Sequence, residues 1–186
     1  PCYISLAKDV LKGTGIQVAS TLNFPQANDT LDMKLAALKE MIKTGVDQFD
    51  FPPNPGLLIG GEEKAYFEEM KQIVEVAHAS GVIVKSMLEF GFLNEEQKKK
   101  AAQLACEAGI DWVKQSSGWG VGGCAATVED VKILKENISL PCRVKVSGKV
   151  NSLEKMKMMF EAGAELVGTS SGPEIIEGLI GDPNAY

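Results

Sequence analysis

The sequence predicts an α/β fold built on a parallel sheet. Two observations carry this. One short pattern recurs along the chain, a helix end followed by Gly and then a short apolar run. Between these runs lie segments whose apolar residues repeat at helical spacing. Strict alternation of strand and helix gives a parallel sheet covered by helices.

The recurrence appears in Thr44-Gly45-Val46-Asp47-Gln48-Phe49 and in Ser80-Gly81-Val82-Ile83-Val84. Its two closest copies are Glu107-Ala108-Gly109-Ile110-Asp111-Trp112-Val113 and Glu161-Ala162-Gly163-Ala164-Glu165-Leu166-Val167. Gly suits the position just past a helix because a left-handed backbone there costs it no Cβ clash. Six strands are expected, at about 16–22, 46–51, 82–88, 110–115, 142–147 and 165–169, each followed by a helix. An additional helix, Ser5 to Leu11, opens the chain with no strand before it. Leu31, Leu35, Leu38 and Ile42 mark the next helix, with Asp29 or Thr30 able to cap it. Glu62 to Ala79 carries Phe67, Met70, Ile73, Val74 and Ala77. Asn94 with Gln97 forms a capping box ahead of Ala101, Leu104 and Ala105. Thr127 with Asp130 caps the helix of Val131 and Leu134. Ser152 opens that of Leu153, Met156, Met159 and Phe160. Ser171-Gly172-Pro173 opens the last helix.

The repeat favours a (β/α)8 barrel over its alternative, a flavodoxin-like open sheet, because no G-x-G-x-x-G follows the first strand. A closed eight-unit barrel needs roughly 200 residues or more. At 186 residues and six units, the barrel is expected to be incomplete, as one domain over 1–186. The strands at Ile16 and Leu166 would then be open edges not bonded to each other.

Composition narrows the function. The chain is 45% hydrophobic and 24% charged, enough for a sizeable core and too apolar for disorder. A net charge of -6 argues against nucleic acid, whose phosphates call for a positive field. No apolar stretch approaches the roughly 20 residues of a membrane span. Pro1-Cys2-Tyr3-Ile4-Ser5 has neither an initiator Met nor a basic start before an apolar run, so the expectation is a processed, trimmed or fragmentary cytoplasmic chain. Cys2, Cys106, Cys124 and Cys142 form no C-x-x-C pair and lie far in sequence from His78, the single histidine. A metal site is not expected, and the thiols read as isolated and reduced. One histidine, itself within a helical pattern, leaves acid–base work to Lys, Asp, Glu, Tyr or water.

In barrels the working residues sit at the C-terminal ends of strands. Those ends hold Asp50, Glu89, Lys114 with Ser116 and Ser117, Lys145 with Ser147 and Gly148, and Gly168-Thr169-Ser170-Ser171. Lysines ending two successive strands would share one mouth. There, mutual repulsion and burial depress the pKa of one of them, and a neutral amine is what Schiff-base chemistry requires. Solvated strand-end charges are the plain alternative. Gly168 to Ser171 runs from a strand into a helix, and free N–H groups with hydroxyls beside them suit a phosphate. Ser116-Ser117-Gly118 and Ser147-Gly148 could add donors. Ordinary helix capping by Ser is the competing reading.

At these residues the sequence resembles the deoxyribose-phosphate aldolase family of class I, Schiff-base aldolases with a TIM-barrel fold, over nearly the whole chain. Asp111-Trp112-Val113-Lys114-Gln115-Ser116-Ser117-Gly118 resembles the family's Val-Lys-Thr-Ser-Thr-Gly segment. Arg143-Val144-Lys145-Val146-Ser147-Gly148 resembles Val-Lys-Ala-Ser-Gly-Gly, and Val46-Asp47-Gln48-Phe49-Asp50 resembles Ala-Asp-Glu-Ile-Asp. Val18 to Pro25 and Glu161 to Gly172 resemble the family's Val-Ala-Thr-Val-Ile-Gly-Phe-Pro strand and its phosphate-binding strand end. The resemblance implies reversible cleavage of 2-deoxyribose 5-phosphate to glyceraldehyde 3-phosphate and acetaldehyde, with no cofactor and no metal. Lys114 would form the imine, Lys145 would act on it through its charge, and Asp50 would join in proton transfer. Ser116, Ser117, Gly118, Gly148, Gly168, Ser170 and Ser171 would bind substrate and phosphate. The partner implied is a small phosphorylated sugar, with a homodimer as one assembly open to the chain.

Departures from the family are Lys149 in place of the second Gly of Ser-Gly-Gly, Gln115 in place of a Thr, Phe51-Pro52-Pro53-Asn54 after Asp50, and a lengthened loop with Trp119 and Cys124. They keep two other readings open: a related Schiff-base aldolase or thiolase acting on another phosphorylated sugar, and a non-catalytic phosphosugar-binding homologue. The family's first two strands would precede Pro1, in about 40–60 residues at ~30 per βα unit. Without them, poor activity is expected.

Overall fold

In a computed structural model, residues 1–182 are described. The element order is α1 (Ile4–Val10), β1 (Ala19–Thr21), α2 (Leu31–Lys43), β2 (Gln48–Phe51), α3 (Pro55–Ile59), α4 (Glu63–His78), β3 (Ile83–Met87), α5 (Glu95–Glu107), β4 (Trp112–Lys114), α6 (Val128–Glu136), β5 (Arg143–Ser147), α7 (Leu153–Glu161), β6 (Leu166–Gly168) and α8 (Gly172–Ile176). The six strands pair in chain order, every pair parallel. Among the described residues β1 and β6 are not paired with each other. The sheet is therefore the open wall of an incomplete TIM barrel, not a closed six-stranded one.

Period-2 alternation assigns the two faces of this wall. Phe49, Phe51, Val84, Val113, Val144 and Val146 are fully buried in the core, together with Leu38, Met41, Met70, Ile73, Ala105, Leu134 and Met159 from the helices. Asp50, Lys85, Met87, Lys114 and Lys145 alternate with them and share the other face. Register then sets their heights, with Asp50 opposite Lys85 and Lys114 opposite both Met87 and Lys145.

The helix-end pattern has its expected cause. Gly109 and Gly163 follow α5 and α7 with φ of +87° and +112°, a region unfavourable to a side chain. The acid two positions after such a Gly ties neighbouring strands at the opposite end of the wall from the lysines. Asp47 accepts the Val18 N–H at 2.7 Å and the Lys8 ammonium at 2.8 Å, which anchors α1 there. Asp111 accepts the Val84 N–H at 2.8 Å and lies 2.9 Å from His78 Nε2, so His78 is structural. The capping box at Asn94 and Gln97 forms as expected.

The first strand is shorter than its apolar pattern suggests. Ile16 lies outside β1 and is 61% exposed. β1 is an edge with one neighbour, so its ladder runs only from Ala19 to Thr21. Helix α3 is an addition to the expected elements. Asn54 accepts the Gly56 N–H and Pro55 sits in the first turn, so the Pro-Pro-Asn-Pro run that looks like loop also starts a short helix.

Thr127 caps α6 by accepting the Asp130 N–H at 3.0 Å, and its hydroxyl donates to the Asp130 carboxylate at 2.7 Å. Thr127→Ala is expected to cost about 1 kcal/mol and to lower the melting temperature by about 2–4 °C. A calorimetric scan checks this, and Thr127→Asn should restore most of the loss.

Candidate active site

A cavity of about 410 Å³ opens at the C-terminal ends of the strands. Asp50 from β2, Lys114 from β4 and Lys145 from β5 line it, together with Ser147, Gly168, Thr169 and Ser170. Thr21, Phe24, Met87 and Trp119 complete the wall. Asp50 is the hub. Its Oδ2 accepts hydrogen bonds from Lys145 Nζ at 2.7 Å and Lys114 Nζ at 3.2 Å. Its Oδ1 lies 3.1 Å from Lys85 Nζ. That last contact has ion-pair distance without the angle of a hydrogen bond, so it acts through charge.

Burial alone would raise the Asp50 carboxyl. The ammonium groups of Lys114, Lys145 and Lys85 outweigh it and hold the carboxyl well below the usual carboxylate range. Asp50 is an anion at any ordinary pH and a poor base by itself. Lys85, 2% exposed, is held below the usual lysine value. Burial is the main cause, the positive charges of Lys145 and Lys114 add to it, and Asp50 opposes. Three amines around one carboxylate leave the cluster positive even with one amine neutral, which favours an anionic ligand.

The lysine pair anticipated at two strand ends is thus a triad. Lys85 escapes a reading of strand ends because it lies deeper in its expected strand, 82–88, than Asp50, Lys114 or Lys145 lie in theirs. Its signal in the sequence is a lysine interrupting the apolar run Val82-Ile83-Val84. Placed one layer beneath Lys114, such a lysine must meet an acid or stay neutral.

Of the expected substrate residues, Gly168 and Ser170 line the cavity and five do not. Ser116 and Ser117 turn to Glu89. The Ser116 hydroxyl donates to Glu89 Oε2 at 3.1 Å, and the Ser117 N–H donates to the same carboxylate at 3.3 Å. Ser116 Oγ also accepts the N–H groups of Gly118 and Cys124, both at 3.0 Å, so Gly118 is held as a loop turn. Gly148, at φ +94°, faces the loop after β4, where a Cβ would meet the Cys124 carbonyl oxygen at 2.8 Å. Ser171 is buried and its N–H donates to Thr169 Oγ1 at 3.0 Å. Phe24, Met87 and Trp119 are site residues that sequence reasoning misses, since apolar lining looks like core in a sequence.

Two of the departures do not line the cavity. Gln115 is fully buried and donates to the Ser147 carbonyl at 2.5 Å. Lys149 is exposed at φ +61° and does not line the cavity. Trp119 alone among the divergent positions reaches it.

Fold and cavity define a barrel-type α/β protein with an amine-rich pocket at its strand ends. The chain belongs to the deoxyribose-phosphate aldolase family. Curated deoxyribose-phosphate aldolases match it at 38% identity in Caldanaerobacter subterraneus, over 95% of this chain and 76% of the relative. In Staphylococcus carnosus the match is 40%, over 98% of this chain and 81% of the relative. Among solved structures, the aldolase QR15 superposes with a TM-score of 0.87 at 30% identity, covering 95% of this chain and 77% of its own. The deoxyribose phosphate aldolase of Aeropyrum pernix, described as a unique tetramer, superposes with a TM-score of 0.85 at 26% identity, covering 95% of this chain and 74% of its own. No protein-family model matches the chain. Among the described residues, no helix is long and apolar enough to cross a membrane.

Proposed function

We propose that the chain catalyses reversible aldol cleavage of 2-deoxy-D-ribose 5-phosphate to D-glyceraldehyde 3-phosphate and acetaldehyde. The observation that carries the reading is the convergence of Lys114, Lys145 and Asp50 in one cavity, with both amines hydrogen-bonded to one carboxylate oxygen. Lys114 Nζ attacks C1 of the open-chain sugar and water leaves, giving an iminium ion. The C3 hydroxyl then loses its proton, the C2–C3 bond breaks, and its electron pair moves into the iminium to give an enamine. Glyceraldehyde 3-phosphate departs. Protonation at C2 and hydrolysis of the imine release acetaldehyde and restore the amine. The iminium is the electron sink, so no cofactor or metal is required.

Asp50 is too acidic to take the C3 proton unaided, so it works with Lys145 and a water to move it. The phosphate lies against Gly168, Thr169 and Ser170, drawn by the positive cluster. Ser116, Ser117, Gly118, Gly148 and Ser171 shape the loops behind this wall. The same reading takes residues 1–186 as one cytoplasmic aldolase domain, with a homodimer as one assembly open to it.

The test is to incubate the chain with 2-deoxyribose 5-phosphate and measure both products. Equal release of glyceraldehyde 3-phosphate and acetaldehyde is expected, unchanged by a chelator. Saturable binding of the sugar phosphate without either product would reverse the reading in favour of a binding protein.

A further inference from the structure

A second cleft, of about 340 Å³, lies beside the catalytic cavity and shares the Trp119 side of it. Four strand-to-helix loops build it. Trp119 comes from the loop after β4 and Phe92 from the turn after β3, with Pro25 from the loop after β1, and Asn54 and Pro55 from the junction of the loop after β2 with α3. These walls are aromatic or aliphatic, and Gln26 and Asn54 add polar residues to the lining. The buried acid among the cleft residues is Glu89, 6% exposed.

The cleft is held in shape by close backbone packing. A Cβ on Gly91 would meet the Gly122 carbonyl oxygen at 2.6 Å, and one on Gly122 would run into the Phe92 ring. The loop after β4 is therefore pressed onto the turn after β3. Glu89 itself has φ of +51° and is fixed by the Ser116 hydroxyl and the Ser117 N–H. A carboxylate offers about four acceptor positions, and the Ser116 hydroxyl with the Ser117 N–H and hydroxyl take three of them. Burial raises the Glu89 carboxyl, while its bonds to Ser117 and Ser116 and the Lys114 charge oppose that. Lys114 is hydrogen-bonded to Asp50 at 3.2 Å, and among the described residues Glu89 forms no ion pair, although the Lys114 charge acts on it.

We propose that this cleft binds a compact organic ammonium ion, with Glu89 as counter-ion and the Trp119 and Phe92 rings as its walls. A cation over an aromatic face gains from the ring quadrupole, most strongly where water is excluded. A lone carboxylate is a poor site for a bare divalent cation, which calls for six or more oxygen ligands. It suits an ion whose remaining surface is methyl or methylene, because those groups pack against the proline and aromatic walls.

The probe is choline, and its control is 3,3-dimethylbutan-1-ol, the same shape without the charge. In a Trp112→Phe chain, Trp119 is the sole indole, since the sequence has two. Choline is expected to change Trp119 emission saturably, with the neutral alcohol about tenfold weaker or worse. Glu89→Gln should keep the bonds to Ser116 and Ser117 and weaken choline about tenfold. Phe92→Ala, at a half-exposed ring, gives a second reading should the Glu89 variant fold poorly. Equal responses to choline and the alcohol would overturn the proposal. So would choline affinity unchanged by a folded Glu89→Gln or by Phe92→Ala.

Discussion

Lys114→Ala is expected to abolish imine formation and to lower aldol cleavage by about 10⁴-fold or more, as removal of a covalent nucleophile does. Its amine enters the cavity at the end of β4, 3.2 Å from Asp50 Oδ2, and the reading assigns it the bond to C1. Alanine cannot form that bond, and Lys145, which lines the same cavity, is held closer to Asp50 than Lys114 is. Lys145 is drawn in at 2.7 Å to the same carboxylate oxygen, and Lys85 sits one layer deeper, off the cavity lining. Folding should survive, because Asp50 keeps two ammonium partners and the methyl group of alanine suits a buried strand end. The measurement is borohydride trapping with acetaldehyde followed by peptide mapping. The parent chain should carry an ethyl group on Lys114, and the variant should carry none at comparable yield. An adduct of equal yield in the variant, mapped to Lys145 or Lys85, would move the nucleophile to that residue.

Much of this site is legible in the amino-acid sequence, for a physical reason. Parallel strands run in register, so residues near the C-terminal ends of β2, β4 and β5 meet in one mouth whatever the intervening helices do. Asp50, Lys114 and Lys145 are legible on that ground. Gly168 and Ser170 are legible because a strand running into a helix leaves N–H groups facing the mouth.

What stays hidden depends on side-chain direction within loops. Ser116 and Ser117 follow Lys114 directly, and a phosphate is a reasonable partner for them. The left-handed backbone at Glu89 turns its carboxylate under the same loop, where it captures both donors. No local pattern announces that, since the two segments are 27 residues apart. Lys85 is hidden in the other sense: the interior of a strand is legible through its hydrophobicity, and a charged interior residue has meaning only with its cross-strand partner. The register that places it opposite Asp50 is a property of the sheet.

Asp50→Asn should be the most damaging single change to the stability of the cluster, and it should also lower activity. The variant retains the shape of the side chain and removes the one negative charge that three ammonium groups share. Breaking a buried ion pair from one side costs about 3–5 kcal/mol, because the remaining charge is left unpaired in a poorly polar site. Here the uncompensated groups are lysines, so the sign with pH is fixed. In the variant the folded pKa of Lys85, already held down by burial and its lysine neighbours, falls further below the unfolded value near 10.4, since Asp50 no longer opposes them. Between those values the unfolded chain binds more protons than the folded one, and stability rises with pH. The deficit against the parent chain should therefore be large at pH 7 and shrink toward pH 10. On the acid side the parent's contribution from Asp50 is present above the unfolded carboxyl value near 3.9. It is lost only as pH falls through the folded value, which lies well below the usual range, so the deficit should persist down to about pH 4. Urea unfolding at a series of pH values measures this directly. Cleavage should fall by about 10²–10⁴-fold, the usual share of a proton-transfer partner. A deficit that is constant from pH 5 to pH 10 would mean that Asp50 does not set the charge of the three lysines, and the proton-transfer role built on that pairing would fall with it.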